Sequence, residues 1–395
     1  MPNSFLNRFL KHNTRHEITE LYISVAIKNF AFSMIAIFEP LYLYKLYDSI
    51  SMVFLYYAVV YTLHFFLVPF GAKAAAKYGF EHCIFYSIPF AILYFLALSQ
   101  IPNYGWMIFA AIIFVVIHRI MFWPSYHTDF AHYSILGFKG REMSAMSSIS
   151  IAATVIGPII GGIILTKFGF EALFVIVSIA SLISIIPLFA TKEKFEPHDF
   201  SYKKAFRRLL KPYGRYKRKN LVAYFAFSEE TVLIIGWPIF IFFILKEFYL
   251  IGILMGVSAL LIAIINLYAG KLSDRYSTEK REKLLSSSAS LYSIFCFLRP
   301  FVGGWVGILS VDFLSKIAKM GIKYPIFTFI YNGGGRRKDF LEYIIFYELS
   351  LSLGRIIIIW FVFFLSLYLS GFVFWFTIFT LSGLWAFLFK SAKFE

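Results

Sequence analysis

The sequence predicts an all-α polytopic membrane protein in which twelve transmembrane helices form two six-helix bundles around a central cavity. Three observations predict this fold: twelve long apolar stretches, a repeat that relates the first six of them to the last six, and charged residues that are confined to particular stretches. The 395 residues are 59% hydrophobic and only 15% charged, and the mean hydropathy is +0.73. Soluble domains usually have about a quarter of their residues charged, so this composition excludes a soluble protein.

Each apolar stretch is long enough to cross a bilayer, which takes about 20 residues of helix. The first stretch has full length, lacks a small-residue cleavage pattern and leads into a second span. We therefore expect it to be a retained helix and not a signal peptide. In chain order, the predicted spans 1 to 12 cover approximately residues 19–41, 51–70, 81–101, 104–128, 144–166, 171–190, 221–245, 250–269, 284–302, 304–326, 341–367 and 370–389.

The Lys and Arg residues of the loops predict the orientation. With both ends of the chain on one side, that side has 28 of the 38 Lys and Arg residues and the opposite side has 4. Loops rich in Lys and Arg stay in the cytoplasm, so we expect both termini to be cytoplasmic and the protein to lie in the cell membrane. The same loops account for the net charge of +16, which therefore does not indicate a nucleic-acid partner.

The longest loop, residues 191–219, separates span 6 from span 7 and is strongly basic. Phe206, Leu209 and Leu210 recur there at helical spacing, which predicts an amphipathic helix that lies on the anionic leaflet. Such a helix anchors the topology, and a regulatory lipid sensor is the alternative. The predicted domains are an N-terminal bundle of residues 1–190, the basic cytoplasmic linker of residues 191–219 and a C-terminal bundle of residues 220–395.

Short matching segments relate the two halves of the chain. The displacements are 198, 198 and 201 residues, and the matches occur in the same order in both halves. A duplication of six spans indicates two parallel halves around a central cavity, which is an architecture of transporters. The matching pairs are Glu39-Pro40 with Trp237-Pro238, residues 72–79 with residues 270–277, and Trp123-Pro124 with Tyr324-Pro325.

Four prolines fall in spans 1, 4, 7 and 10, namely Pro40, Pro124, Pro238 and Pro325. A proline removes one backbone hydrogen bond and permits the helix to bend, so these positions are candidate hinges. Because Pro40, Pro124 and Pro325 are close to the predicted ends of their spans, helix termination is the alternative there.

The loop after span 8 has the pattern of a known family. Gly270, Leu272, Asp274 and Arg275 resemble the first half of the loop signature G-x-L-x-D-R-x-G of the major facilitator superfamily. The corresponding loop after span 2 keeps only Lys77 and Gly79, because alanine is present where that family has its first glycine and its aspartate. The resemblance implies a gating loop that latches the two halves in one conformation, here through Asp274. An ordinary solvated pair of Asp274 and Arg275 is the alternative.

Span 5 contains a second motif of this family. Gly157, Pro158, Gly161 and Gly162 resemble the motif G-P-x-x-G-G, which is often seen in exporters of the superfamily, although glycines expected upstream are absent. Independently of the resemblance, small residues allow membrane helices to pack closely. We therefore expect these residues to form a packing motif, with export slightly favoured as the direction.

Charged residues in the interior of the spans are concentrated in spans 1, 4, 7, 10 and 11, whereas the interiors of spans 3, 6 and 12 have none. A charge in hydrocarbon costs at least about 3 kcal/mol, so such residues line a polar cavity or have a partner. In the family that the chain resembles, the first, fourth, seventh and tenth helices line the cavity. The candidate cavity residues are Lys28, Glu39, Arg119, Glu229, Glu230, Asp312, Lys316, Lys319, Glu348 and Arg355, with Asp129 at the end of span 4.

Two interpretations of these charges remain open. They could be structural pairs, namely Asp312 with Lys316 and one of Glu229 and Glu230 with Arg355 or Lys319. Alternatively, a carboxylate takes and releases a proton during a transport cycle while a cation holds an anionic group. Glu229 and Glu230 are the first candidates because adjacent acids near mid-membrane are difficult to keep ionised together, and only one can point straight into the cavity.

We therefore expect a monomeric secondary carrier that moves a small solute by alternating access and draws energy from protons or another coupling ion. A membrane enzyme is disfavoured, since His127, Asp129 and His132 lack the i, i+4 spacing of a helical metal site. Cys83 and Cys296 lie in different spans, so we expect no metal or disulfide, and no cofactor motif is present. A non-transporting receptor or an assembly scaffold is the alternative function.

Overall fold

The structure is a computed structural model that describes residues 23–135, 141–189, 197, 199–212, 218–273, 278–332 and 337–391. All regular elements in these ranges are helices, and a helix coincides with each of the twelve predicted spans. We number the helices α1 to α12 accordingly and call the additional short helix Tyr202–Leu210 the linker helix.

In the first half, α1 has two segments, 23–35 and Glu39–Tyr47, and is followed by α2 (Ile50–Tyr78), α3 (Phe80–Gln100) and α4 (Met107–Ile135). The helical run Arg141–Ile183 is broken at Gly169, whose φ of +78° lies in the left-handed region, into α5 (141–168) and α6 (170–183). In the second half the helices are α7 (Arg218–Ala226 and Glu229–Leu245), α8 (Phe248–Ser273), α9 (Thr278–Leu298), α10 (Gly304–Asn332), α11 (Arg337–Tyr368) and α12 (Gly371–Ala386).

Nine stretches of the described chain are long and apolar enough to cross a membrane. One of them, Ala152–Ile183, contains both α5 and α6, and α9 and α10 fall outside the nine. The reason is polar content, because α9 begins with charged and serine residues and α10 contains Asp312 and three lysines. The twelve apolar stretches of the sequence thus include two spans whose polar content places them outside the nine.

Four helices continue well beyond their predicted ends, since α1 extends to Tyr47, α2 to Tyr78, α4 to Ile135 and α10 to Asn332. Termination at Pro124 and Pro325 is therefore wrong, since both prolines lie inside their helices, as does Pro238. Pro40 instead lies in the first turn of the second segment of α1, where a missing N–H is tolerated.

A glycine of α2 lies next to the carbonyl group that Pro124 of α4 leaves without its helical hydrogen bond. Pro124 has no N–H to donate to the carbonyl of Ile120, four residues earlier. A Cβ atom on Gly71 of α2 would lie 1.9 Å from that carbonyl oxygen, so α2 approaches α4 closely at this position. The close packing of α2 against α4 thus depends on the absence of a side chain at residue 71.

The two halves contact each other mainly through two helix pairs. α2 packs against α11, and α5 packs against α8. Within the halves, α4 packs against α2 and α3, while α9 packs against α10 and α12. The domain boundaries at residues 190 and 219 stay a prediction.

Large apolar side chains that are exposed on α3, α6, α9 and α12 include Leu93, Leu96, Ile179, Leu182, Leu291, Ile294, Phe372 and Val373.

The linker helix docks on the protein between α2 and α11. The Tyr202 hydroxyl donates to the carbonyl of Phe66 at 3.2 Å, and the rings of Phe206 and Phe65 are 5.4 Å apart. Lys204 and Arg208 both pair with Glu342 of α11. Of its predicted apolar face, Phe206 and Leu209 pack against the protein core, whereas Leu210 is exposed and is the part free to contact lipid.

Candidate functional site

A buried ion pair joins α7, α9 and α10. Glu229 lies in the first turn of the second segment of α7, where the helix dipole favours a negative charge. It pairs with Lys319 of α10 and accepts a hydrogen bond of 2.7 Å from the Tyr292 hydroxyl of α9. Both charged side chains are almost inaccessible to solvent. Through these contacts Glu229 of α7 joins α9 and α10 of the second half.

The neighbouring Glu230 has a different environment. Its carboxylate pairs with Lys323 at 2.7 Å, and both side chains are partly exposed, at 33% and 41%. Glu230 also lines the cavity described below. Of the two adjacent acids, it is Glu230 that solvent and solutes can reach.

Asp312 is the centre of a second network in the same half. Its carboxylate pairs with Lys316 at 2.6 Å and accepts hydrogen bonds from the Trp237 indole at 3.0 Å and from the Ser258 hydroxyl at 2.5 Å. Lys316 also donates to Ser258 at 3.0 Å. The aspartate is buried, whereas a third of the Lys316 side chain is exposed. Asp312 therefore holds Lys316 at the cavity surface.

Arg299 completes this network, although it falls near the outer end of predicted span 9. Pro300 follows it, and the chain turns there through the short helix Arg299–Phe301, so the side chain points inward and is only 4% exposed. Its guanidinium lies 4.2 Å from the centre of the Trp237 ring and donates to Ser315 at 2.8 Å. The only sign of this role in the sequence was that Arg299 is a single charged residue directly after an apolar run.

These residues line a cavity of about 270 Å³ between α1 of the first half and helices of the second half. Asp312, Lys316 and Lys319 face it together, as their spacing of four and three residues requires. The cavity presents both charge signs on one side and apolar surface on the other. Its remaining lining residues are Ala36, Ile37, Glu230, Leu233, Ile234, Trp237, Pro238, Met255, Tyr292, Arg299 and Ser315.

A second group of charges surrounds Tyr61 of α2. The guanidinium carbon of Arg119 on α4 is 5.1 Å from the centre of its ring, and that of Arg355 on α11 is 5.0 Å from the same centre. Next to them, His64 of α2 contacts the Ser352 hydroxyl of α11 at 3.1 Å. Of the two cations predicted for Glu229 and Glu230, Lys319 pairs with Glu229, whereas Arg355 pairs with neither, because Glu230 pairs with Lys323.

The two remaining candidate acids lie near this group but have other contacts. Glu39 of α1 accepts a hydrogen bond of 2.8 Å from the Tyr57 hydroxyl. Glu348 of α11 is buried, and its carboxylate is 3.9 Å from the His127 ring of α4. Lys28 is buried against aromatic rings, with its ammonium 3.0 Å from the centre of Phe122.

The family model of the Major Facilitator Superfamily matches residues 21–335. The chain belongs to the Major Facilitator Superfamily. The match covers most of both halves and confirms the predicted family and the all-α polytopic fold. The protein is therefore a multi-pass membrane transporter, and members of this superfamily are not enzymes. A search among curated proteins found no match.

The glycine motif of this facilitator lies at two helix contacts. Cβ atoms on Gly157 and Gly161 would lie 1.8 Å from the Ser33 hydroxyl and 2.0 Å from the Met34 carbonyl oxygen, both in α1. A Cβ atom on Gly162 would lie 2.7 Å from the carbonyl oxygen of Phe248 in α8. The carbonyl of Pro158 similarly approaches Gly252. The geometry favours the packing interpretation of the motif.

The predicted gating loop falls largely outside the described residues. Asp274 and Arg275 are not among them, and Gly270 lies in α8 where side-chain surroundings are not described. Lys77 ends α2 with its ammonium 4.9 Å from the Tyr78 ring, and Gly79 connects α2 to α3 with a φ of +109°. The side chains of Asp129 and His132 also lie outside the described set. The latch through Asp274 stays a prediction.

Proposed function

We propose that this transporter is a proton-coupled secondary carrier that moves a small solute by alternating access. The observation that carries the proposal is Glu230, a cavity-lining carboxylate paired with a partly exposed lysine. An ion pair that solvent reaches can open when its carboxylate takes a proton. In our proposal, Glu230 is the group whose charge changes at the surface that a solute would contact.

Glu230 and Glu229 differ in accessibility, and a coupling carboxylate has to be accessible from the cavity. Protonation of Glu230 neutralises it and releases Lys323 of α10, so the charge of the cavity and the contact between α7 and α10 change together. Glu229 is enclosed with Lys319 and Tyr292, so its proton exchange with the cavity is hindered. In our proposal Glu230 carries the coupling proton, and Glu229 fixes the helices around it.

Alternating access requires contacts between the halves that open in turn on the two sides of the cavity. On the side where α1 ends, α5 contacts α8 through Gly162, and the rings of Tyr44 and Phe243 are 5.2 Å apart. On the side where α1 begins, the His127 ring lies 6.5 Å from that of Phe327. We propose that the halves rock between these two sets of contacts, with bending at Pro124, Pro238 and Pro325, and at the helix break before Pro40.

We further propose that the carrier acts as a monomer in the cell membrane with both termini in the cytoplasm. The excess of Lys and Arg in the loops on that side supports this orientation. The basic linker helix, docked between α2 and α11 at the same side, agrees with it.

Proteoliposomes that contain a trapped pH-sensitive dye test the proton coupling. A solute taken from a panel of sugars, carboxylates, amines and drugs is added outside, and a coupled solute changes the internal pH of wild-type vesicles. We expect Glu230→Gln to abolish this change while counterflow of the same labelled solute continues. Glu279→Gln, which removes an exposed carboxylate on α9, is the matched control. Unaltered proton movement in Glu230→Gln would contradict the proposal.

A further inference from the structure

Two arginines of different halves share one aromatic ring in the middle of the molecule. Arg119 belongs to α4 and Arg355 to α11, and both guanidinium carbons lie about 5 Å from the centre of Tyr61. The two groups are thus no farther apart than the sum of these distances. Both arginine side chains are only partly buried, so each leaves surface that a solute can contact.

Neither arginine forms an ion pair with a carboxylate among the residues that the structure describes. Glu39 is near enough to Arg119 to act on it electrostatically, but its carboxylate accepts from Tyr57. Glu348, on the same helix face as Arg355, is 3.9 Å from His127. The Nε atom of Arg355 is buried without a hydrogen-bond partner.

This arrangement leaves hydrogen-bonding capacity and positive charge that an anionic ligand could satisfy. A buried guanidinium N–H that lacks an acceptor loses its hydrogen bonds to water without replacement. Like charges around one ring also repel each other, and no described carboxylate compensates them within ion-pair distance. The lysines of the second half differ from these arginines, because Lys316, Lys319 and Lys323 each have a carboxylate partner. Arg299 of that half instead contacts the Trp237 ring and Ser315.

We propose that Arg119 and Arg355 bind an oxyanion group of the transported solute, either a carboxylate or a phosphate. Guanidinium groups present paired N–H donors that match the oxygens of these anions. The inference rests on the proposed transport function and specifies its substrate class. Because α4 and α11 belong to different halves, an anion between the arginines draws the two bundles together, which is how a solute can drive a change of conformation.

The geometry also predicts what the site rejects. Both guanidinium carbons lie about 5 Å from the centre of the Tyr61 ring, so the site presents two cations beside an aromatic surface. A solute with a cationic group at the same position would be repelled, and a neutral amide would leave the guanidinium charges uncompensated. Benzoate, benzamide and benzylamine have the same ring and differ in charge, which makes them matched probes.

The test is equilibrium binding to purified full-length protein, measured by thermal shift and by calorimetry with benzoate, acetate and inorganic phosphate. We expect at least one of these anions to raise the melting temperature and the matched amide and amine to leave it unchanged. Arg119→Gln and Arg355→Gln should each weaken binding about tenfold to a hundredfold, the usual loss for a charge-assisted hydrogen bond. Acetate or benzoate alone would indicate a carboxylate solute, and phosphate alone a phosphate ester.

Stability without ligand distinguishes a binding role from a structural one. Removal of an unpaired charge should leave the melting temperature of Arg355→Gln unchanged or raise it, whereas a structural cation would lower it. Lys283→Gln, at an exposed position of α9, is the charge-matched control and should bind anions like the wild type. Absence of stabilisation by all three anions, or wild-type affinity in both arginine variants, would overturn the proposal. Binding requires no proton gradient, so loss of coupling in Glu230→Gln with intact anion binding would separate the two proposals.

Discussion

At the scale of single residues, buried ion pairs and their hydrogen bonds join the helices of the second half around the cavity. Asp312 and Lys316 share a helix face, so their pair could be predicted from spacing. The partners Glu229 and Lys319 are 90 residues apart and meet only because α7 and α10 pack around one cavity. Tyr61 carried no signal at all, because a tyrosine in an apolar span is indistinguishable from a packing residue until Arg119 and Arg355 are placed around it.

The enclosed pair predicts a large loss of stability when one partner is removed. Lys319→Gln leaves the buried Glu229 carboxylate without its cation, and this costs about 3 to 5 kcal/mol. The melting temperature of the purified protein should therefore fall strongly. Because the double variant Glu229→Gln with Lys319→Gln removes both charges, it should recover part of the loss. A double variant that is no more stable than Lys319→Gln would show that the pair has no such role.

At the scale of helices, the sequence predicted existence and order but misplaced several ends. Pro124 and Pro325 resembled stop signals, yet both helices continue because tertiary packing compensates one missing hydrogen bond. The break in α7 before Glu229 left no signal, since neither proline nor glycine marks it. The packing interpretation of the α5 glycines agrees with their close approaches to α1 and α8, because close approach is a property of small residues, whichever neighbour they contact.

The contact between α1 and α5 provides a prediction at this scale. Alanine at position 161 would place a methyl group 2.0 Å from the backbone carbonyl oxygen of Met34, so α5 must move away from α1. Overpacking of this kind costs about 1 to 3 kcal/mol. Gly161→Ala should therefore lower both the melting temperature and the transport rate. Gly105→Ala is the control, because nothing lies within 4 Å of a Cβ atom there, and equal stability of both variants would contradict the account.

At the scale of the whole molecule, the repeat and the charge distribution predicted the architecture most completely. The superfamily match confirms that architecture. The sequence could not show which of the buried cations have carboxylate partners and which do not. Carboxylate-paired lysines gather around the cavity of the second half, while two arginines without carboxylate partners meet near α2. This difference between the lysines and the arginines depends on which helices of different halves face each other, and no local sequence pattern predicts that.

The central claim is that a change of charge at Glu230 shifts two rigid halves between alternate openings. Spin-label distances across both ends of the molecule test it most directly, with labels at exposed positions of opposite halves: Tyr78 with Lys283 at one end, and Trp106 with Tyr368 at the other. In a background without Cys83 and Cys296, we expect Glu230→Gln, which mimics the protonated state, to lengthen one distance and shorten the other. Two distances that stay unchanged, or that change in the same direction, would contradict the account.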